Sequence, residues 1–511
     1  MAWFQDGARL LISGSATTGP EQRSVWLMST LTGELRVLRD DAWGAAASPD
    51  GSRIAFRNRR DNELWVMGPG GENAKRILTL PNEFLYERVA YSPAGLLTVM
   101  KRRTDLESVS IEAVDTERGT TATLFSDAKL VDFLWTPDGR IICSLSEPPP
   151  NDRDSNFWEV RADPLSGRIK GQMRRVTQWA GVTIHDISMS ADGKRLGFAN
   201  RRDQSDVFIA DMNARGTELL NVRRITADER VDWPGAWADG GESLLFYSDR
   251  NGTLDVFRQG IDDRTAQAIV SSADEERTPE LSLDRAWILY QAWSGTPEGV
   301  DPTTGRLMRL PVGGGVAEKV MDLRGYPGSA RTARIRQVLN AKGHPDIRCP
   351  QRQGDCVLSE SQPGRIMFTA FDPVHGRKRE ITRLEFEPDT NLRSTAWALS
   401  PDGASIAFVL MQRTSGAITV LPVAGGTSST IHVKDWTNLD AVAWGPDGSW
   451  LVANSYSTRG GTLLRVSLNG ETRILRRSSA WHERPVVSPD GRRLAFAERI
   501  PNSNAWILEG L

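Results

Sequence analysis

Histidine and cysteine are scarce in this chain, with five His and three Cys in 511 residues. His185, His344, His375, His432 and His482 are scattered and form no H-x-x-x-H pair, so a histidine metal site would have to assemble from distant parts of the fold. No run of 18 apolar residues occurs, which excludes a membrane-spanning helix within this sequence. An excess of either charge is also missing: 63 basic and 65 acidic residues leave a formal net charge of −2. Nothing there provides an electrostatic footprint for nucleic acid or for an anionic membrane. The nucleophile elbow G-x-S-x-G, the phosphate loop G-x-x-x-x-G-K-[ST] and the kinase signatures H-R-D and D-F-G are all absent. These absences predict a chain that is not an enzyme and carries no cofactor or metal.

What the sequence does contain is repetition. Ser48-Pro49-Asp50-Gly51, Thr136-Pro137-Asp138-Gly139, Ser190-Ala191-Asp192-Gly193, Ser400-Pro401-Asp402-Gly403, Gly445-Pro446-Asp447-Gly448 and Ser488-Pro489-Asp490-Gly491 are clear copies of one turn. Gln5-Asp6-Gly7, Ser92-Pro93-Ala94-Gly95, Ala238-Asp239-Gly240 and Ser282-Leu283-Asp284 are eroded ones, and the spacing is about 44 residues. Proline pre-sets φ at the first corner, aspartate tolerates the second, and glycine takes the left-handed conformation that lets the next strand start. A period near 40 to 50 residues with β-type flanks predicts an all-β protein built of β-propeller blades.

One repeat reads as four strands. Gly44 to Ser48 is small and uncharged, as an inner strand crowded near an axis must be. Ser52 to Arg57 alternates apolar and polar residues, the signature of a half-buried strand. Glu63 to Met67 and Lys75 to Leu80 follow as third and outer strands. The third strand recurs at Val25-Trp26-Leu27-Met28, Asn156 to Val160, Asp206 to Ile209, Asp255-Val256-Phe257 and Ala505 to Leu508, and its aromatic residues are read as core between blades. Counting gives about eleven units, more than one ring of four to eight blades holds. Two tandem propellers are therefore expected, residues 1–273 with about six blades and 274–511 with about five. Met1 to Phe4 already reads as an inner strand, so the expectation is a chain cut from a longer polypeptide or a start placed late.

Three local features have competing readings. Cys349 and Cys356 flank a hairpin turn and are placed for a disulfide or for two free thiols, while their six-residue gap does not fit a zinc knuckle. Cys143 reads as a small core residue. The clusters Arg57 to Arg60, Lys101 to Arg103 and Arg201-Arg202 read as solvated loop arginines rather than phosphate contacts. Asp249 to Asp255 lacks the glutamate of a calcium loop and reads as a polar turn.

The repeated turn and its following strand resemble the WD40-like repeats of TolB and of propellers fused to prolyl oligopeptidases. A longer likeness runs through Leu38 to Trp43, Asn156 to Glu159, Asp232-Trp233-Pro234-Gly235-Ala236-Trp237, Ser248 to Gly252, Cys349, Cys356 to Glu360, Phe371 to Arg377 and Ser503 to Leu508. These segments resemble the C-terminal propeller region of bacterial membrane-bound Ser/Thr protein kinases and winged-helix transcriptional regulators. The resemblance implies a sensor or interaction module that binds a protein, peptide or envelope ligand. It implies an extracytoplasmic location if a membrane helix or signal lies upstream, and a cytoplasmic one otherwise. It brings no catalytic residue with it. The alternatives are a TolB-like envelope scaffold and an enzyme whose site assembles at a propeller axis. Acidic and basic side chains gathered from several blades, with shifted pKa values, would favour the enzyme.

Overall fold

A computed structural model describes the chain except residues 1, 5, 15–22, 59–61, 81–83, 104–107, 149–150, 152–153, 191, 229, 297–298, 325–344, 363, 387–394, 411–415, 458–459 and 511. Apart from one short 3-10 turn at Asp239–Gly241, every regular element among the described residues is a β-strand. Nine sheets are four-stranded and antiparallel, each running through consecutive strands of the chain. The sheet Ala42–Ala47, Ile54–Asn58, Glu63–Met67 and Lys75–Thr79 is representative: its second strand is buried and its last is largely exposed. These are propeller blades, and the protein is an all-β tandem propeller.

The repeated turn owes its composition to hydrogen bonds beyond its proline and glycine. In the Ser48 copy, the Ser48 hydroxyl donates to Asp50 at 2.6 Å and accepts from the Arg53 N–H at 2.9 Å. Asp50 accepts from the Ser52 N–H at 3.0 Å, and Gly51 closes the corner at φ 68°. The same serine-to-aspartate bond recurs at Ser190–Asp192, Ser282–Asp284, Ser400–Asp402 and Ser488–Asp490, with threonine in its place at Thr136–Asp138. Gly445 cannot make it, and Asp447 binds Ser449 instead. Each turn is therefore an aspartate-capped loop that satisfies backbone donors the strands leave open.

The chain forms two compact units, one of residues 1–202 and 502–511 and the other of residues 203–501. The expected division at residue 273 is not where they part. Two long strands, Arg195–Met212 and Arg493–Glu509, each begin in one unit and end in the other. In the second unit, Trp481–Val487 and the start of Arg493–Glu509 are completed by the end of Arg195–Met212 and by Leu219–Arg224. Phe208 stacks on Phe496 at 5.9 Å, and the Met212 N–H donates to the Arg492 carbonyl at 2.7 Å. The last blade is thus closed by the segment that enters the unit first. In the first unit, Trp506 packs on Phe198 at 6.0 Å and Arg195 pairs with Glu509 at 2.9 Å. The segment Ala505 to Leu508, expected to complete the repeat that begins near residue 478, serves the repeat of Ile184–Met189 instead. A linear reading cannot see this, because all third strands share one pattern.

In the second unit, six buried clusters seal the ring, each holding side chains from two neighbouring blades. Closure is direct: the Trp237 indole donates to the Val486 carbonyl at 2.9 Å and the Trp233 indole to Glu483 at 3.1 Å. In the first unit, four such clusters join five successive blades.

Several local expectations change. Arg57 is buried on a strand, and Lys101 pairs with Glu112 at 3.0 Å and Arg102 with Glu87 at 2.7 Å, rather than standing as solvated loop residues; Arg201 is exposed and pairs with Asp186. Strands Trp287–Thr296 and Gly299–Pro311 pair antiparallel as far as Thr296 opposite Gly299. Asp249 to Gly252 is a turn between second and third strands, with Asn251 bonded to Asp255 at 2.8 Å. Arg59, Arg60, Ala191 and His344 lie outside the described residues.

Candidate functional site

The innermost strands of the second unit are irregular where they approach one another. Asp232–Ala238, Glu275–Leu281, Leu439–Trp444 and Trp481–Val487 all lose register with their neighbouring strand, at Pro234/Ala236, Arg277/Glu280, Leu439/Ala441 and Glu483/Val486. A bulge re-aims the side chain at the extra residue. Thr278 and Arg484 occupy such positions with φ of 47° and 48°, and for a β-branched threonine this conformation costs on the order of 1–3 kcal/mol. Gly235 is required nearby, since a Cβ there would lie 2.4 Å from the Pro279 carbonyl of the adjacent blade.

Between these strands lies a cavity of about 210 Å³ to which all six blades contribute. That is below the roughly 300 Å³ at which pockets for drug-sized ligands begin. Tyr247, Thr278, Glu280, Arg348, Trp397 and Arg484 supply its chemistry. Arg348 donates through Nη1 to Asp346 at 2.9 Å and to the Ile347 carbonyl at 2.7 Å, and its guanidinium lies 5.7 Å from the Trp397 ring. Arg484 lies 5.4 Å from the ring of Tyr247.

The electrostatics follow from burial. Burial raises the Glu280 carboxyl to about 8, against the pull of Arg348 and with the help of Asp346. Burial pushes the Tyr247 hydroxyl up to about 12. Burial alone would lower Arg348, but Asp346 and Glu280 hold it above its ordinary value. Glu280 therefore keeps its proton at neutral pH while Arg348 stays charged, a combination of acid and cation that can donate to, or exchange a proton with, a bound molecule. Among the described residues, the Tyr247 hydroxyl, the Thr278 hydroxyl and the Trp397 indole N–H are buried and meet no hydrogen-bond partner. A stranded group of this kind costs about 1–3 kcal/mol.

The residues singled out in the sequence are distributed differently. Asp50, Asp138, Asp192, Asp402, Asp447 and Asp490, with their glycines, cap turns between strands and do not line the cavity. Cys349 and Cys356 form a disulfide with Cα atoms 4.1 Å apart. Their loop borders the site: Cys349 and Gln351 line the cavity, and Pro350 joins them around an adjoining recess of about 60 Å³ beside Glu280. The loop is held by the Gln351 and Arg352 N–H groups, both donating to the Pro401 carbonyl at 2.9 Å, and by Arg352 donating to the Pro446 carbonyl at 2.6 Å. Cys143 is buried and free. Among the described histidines, none lines the cavity; His482 is buried against Glu498 and Ser478, and His375 binds Asp372.

Sequence reasoning missed Glu280, Arg348, Tyr247, Thr278 and Trp397. The available signal was charge inside strands that ought to be small and neutral. Glu275-Glu276-Arg277-Thr278-Pro279-Glu280 and His482-Glu483-Arg484-Pro485 break the inner-strand pattern of Gly44 to Ser48.

No family model matches the chain. A stretch of 84 residues is 34% identical to the Tol-Pal system protein TolB of Anaeromyxobacter dehalogenans strain 2CP-C, covering 16% of this chain and 19% of that protein. The TolB of Anaeromyxobacter sp. strain K matches to the same extent, so the similarity spans about a fifth of these relatives' length. Similar solved structures include an oligogalacturonate lyase in complex with manganese, 15% identical over 76% of this chain and 88% of that chain with a TM-score of 0.30. Another is TolB from Acinetobacter baumannii, 13% identical over 73% and 78% with a TM-score of 0.21. These likenesses assign no activity. They do overturn the expectation that the chain is not an enzyme, because the lyases are enzymes on propeller-like structures. That expectation rested on missing contiguous motifs, whereas a propeller gathers its acids and bases from separate blades, as Glu280, Arg348 and Tyr247 are gathered here.

Proposed function

We propose that this chain is a TolB-like scaffold of the bacterial envelope that holds a ligand in the axial cavity of its second unit. The observation that carries the reading is that cavity, which residues from all six blades line, among them the strained Thr278 and Arg484 and the buried Glu280 and Arg348. Stability alone gives no reason to retain them, and such outliers cluster at binding sites. The matched TolB stretch and the Cys349–Cys356 disulfide support an extracytoplasmic, oxidising compartment. The narrower role of sensor region in a signalling protein is supported by the resemblance at Asp232 to Trp237, Ser248 to Gly252 and Phe371 to Arg377, and would use the same cavity as its input. The test is protease accessibility of the chain, produced from its own complete gene in its native host, combined with photocrosslinking from position 484. Cleavage once the outer membrane is permeabilised, with a crosslink to an envelope component, supports the reading. Protection until the cytoplasm is lysed contradicts it.

A further inference from the structure

One third strand of the first unit lacks the neighbour that its counterparts have. Residues 502–509, the part of strand Arg493–Glu509 that belongs to this unit, lie beside strand Arg195–Met212 as the third strand of the blade that Ile184–Met189 opens. Trp481–Val487 pairs with Arg493–Glu509 only from Leu494 to Arg499, so among the described residues no fourth strand runs along the outer side of 502–509. The local sequence repeats that of complete blades: Ser503-Asn504-Ala505-Trp506 matches Ser155-Asn156-Phe157-Trp158 and Ser205-Asp206-Val207-Phe208. Phe157 and Val207 are fully buried, whereas Ala505 is exposed, with Trp506 and Ile507 exposed by 45% and 69%. Residues 502–509 contain neither lysine nor proline, which natural edge strands use against unwanted pairing.

The two complete blades show what fits such a strand. Their fourth strands end in Arg174-Arg175-Val176-Thr177 and Arg223-Arg224-Ile225-Thr226. The Phe157 N–H donates to the Thr177 hydroxyl at 2.9 Å, and the Phe157 carbonyl accepts from the Val176 N–H at 2.8 Å. The Val207 N–H likewise donates to the Thr226 hydroxyl at 2.9 Å, and its carbonyl accepts from the Ile225 N–H at 2.9 Å. Arg175 stands opposite Trp158 with its guanidinium 5.8 Å from the ring, and Arg224 stands opposite Phe208. Both arginines turn back onto the threonine carbonyl of their own strand, at 2.8 and 2.6 Å.

We infer that residues 502–509 take up, as an antiparallel fourth strand, an extended segment of a partner protein that carries Arg-Arg-Val-Thr or Arg-Arg-Ile-Thr. The second arginine of that segment falls opposite Trp506, and its last two residues bond to the main chain of Ala505. Strand addition of this kind takes its affinity from main-chain hydrogen bonds, and the cation over the indole face sets the register. Every outer strand among the described residues is already paired in its own blade, so the segment is assigned to a second polypeptide. The edge is separate from the axial cavity, and neither reading depends on the other.

The test titrates the full chain into a fluorescein-labelled peptide with the sequence of residues 219–226 and reads anisotropy. Two control peptides carry glutamate in place of both arginines, or a methyl group on the isoleucine amide. The variants are Ala505→Pro, which removes an edge donor where proline is tolerated, and Trp506→Leu, with melting measured for each. Saturable binding of the parent peptide is expected, weaker by about fivefold or more for each control peptide and each variant. The control peptides decide on the native chain alone, whatever the variants do to its stability. No binding, or binding that ignores the methylated amide, overturns strand addition. Glutamate peptide bound as tightly as the parent overturns the arginine assignment and with it the partner's chemistry. A dimer in light scattering that Ala505→Pro dissociates gives the edge to a second copy of the chain and refutes the partner.

Discussion

Reducing the Cys349–Cys356 disulfide should destabilise the second unit by an amount that the structure sets. The two cysteines are seven residues apart, so the bond closes a loop of about eight residues and removes about 2.5 kcal/mol of denatured-chain entropy at 25 °C. The loop keeps its other restraints when the bond is lost: Gln351 and Arg352 on the Pro401 carbonyl, and Lys378 on Asp355 at 2.7 Å. The loss should therefore stay near the loop-closure value. For a unit of this size that is a fall of about 5 °C in melting temperature. The assay is thermal and urea unfolding of the full chain with and without reductant, beside a Cys349→Ala/Cys356→Ala double variant. One transition should move and the other stay in place. Cys143 is an internal control, since it is buried and its thiol is held well above its ordinary pKa by that burial. Native alkylation without reductant should label none of the three cysteines. Labelling of Cys349 or Cys356 before reduction, or melting that ignores the reductant, refutes the reasoning.

Stability should fall as pH rises from about 4.5 to 8, because burial raises the Glu276 carboxyl to about 8, with Asp255 adding to the rise. The unfolded chain releases that proton near 4.5 while the folded chain retains it, a slope of up to about 1.4 kcal/mol per pH unit that ends above the folded value. Urea midpoints across pH 5 to 9 should be flatter for Glu276→Gln than for the native chain, and equal slopes would contradict the assignment. Gly403→Ala should destabilise more than Gly448→Ala. Both residues are left-handed, but a Cβ at 403 meets the Gln353 carbonyl at 2.6 Å while one at 448 meets nothing within 4 Å; equal melting temperatures would argue against the packed loop. Phe157→Ala, a fully buried third-strand residue, should cost about 3 to 5 kcal/mol in denaturant titration, and a loss under about 1 kcal/mol would remove it from the core.

The blades were legible because their signals are local. Pro401-Asp402-Gly403 marks a corner, Ile406 to Val409 marks the strand after it, and both are where the spacing predicts them. Which strands share a blade was not legible. Asp206 to Ile209 and Ala505 to Leu508 carry the same pattern, yet each completes strands that lie far away in sequence, and no local preference encodes that partner. The cavity was hidden for the same reason: Tyr247, Thr278, Arg348 and Trp397 meet only once the ring is formed. Within single strands there was one trace of it, the charges of Glu275 to Arg277 and Glu483-Arg484 where inner strands should be neutral.

The central claim is that residues 203–224 close the ring whose last blade begins at Trp481, and so create the cavity. Expression of residues 203–501 alone, followed by circular dichroism and urea unfolding, tests it most directly. The account predicts a β-rich monomer with one cooperative transition, and loss of that transition when residues 203–224 are removed. Folding of 225–501 as well as 203–501, or independent folding of 1–273 and 274–511 while 203–501 aggregates, would contradict it.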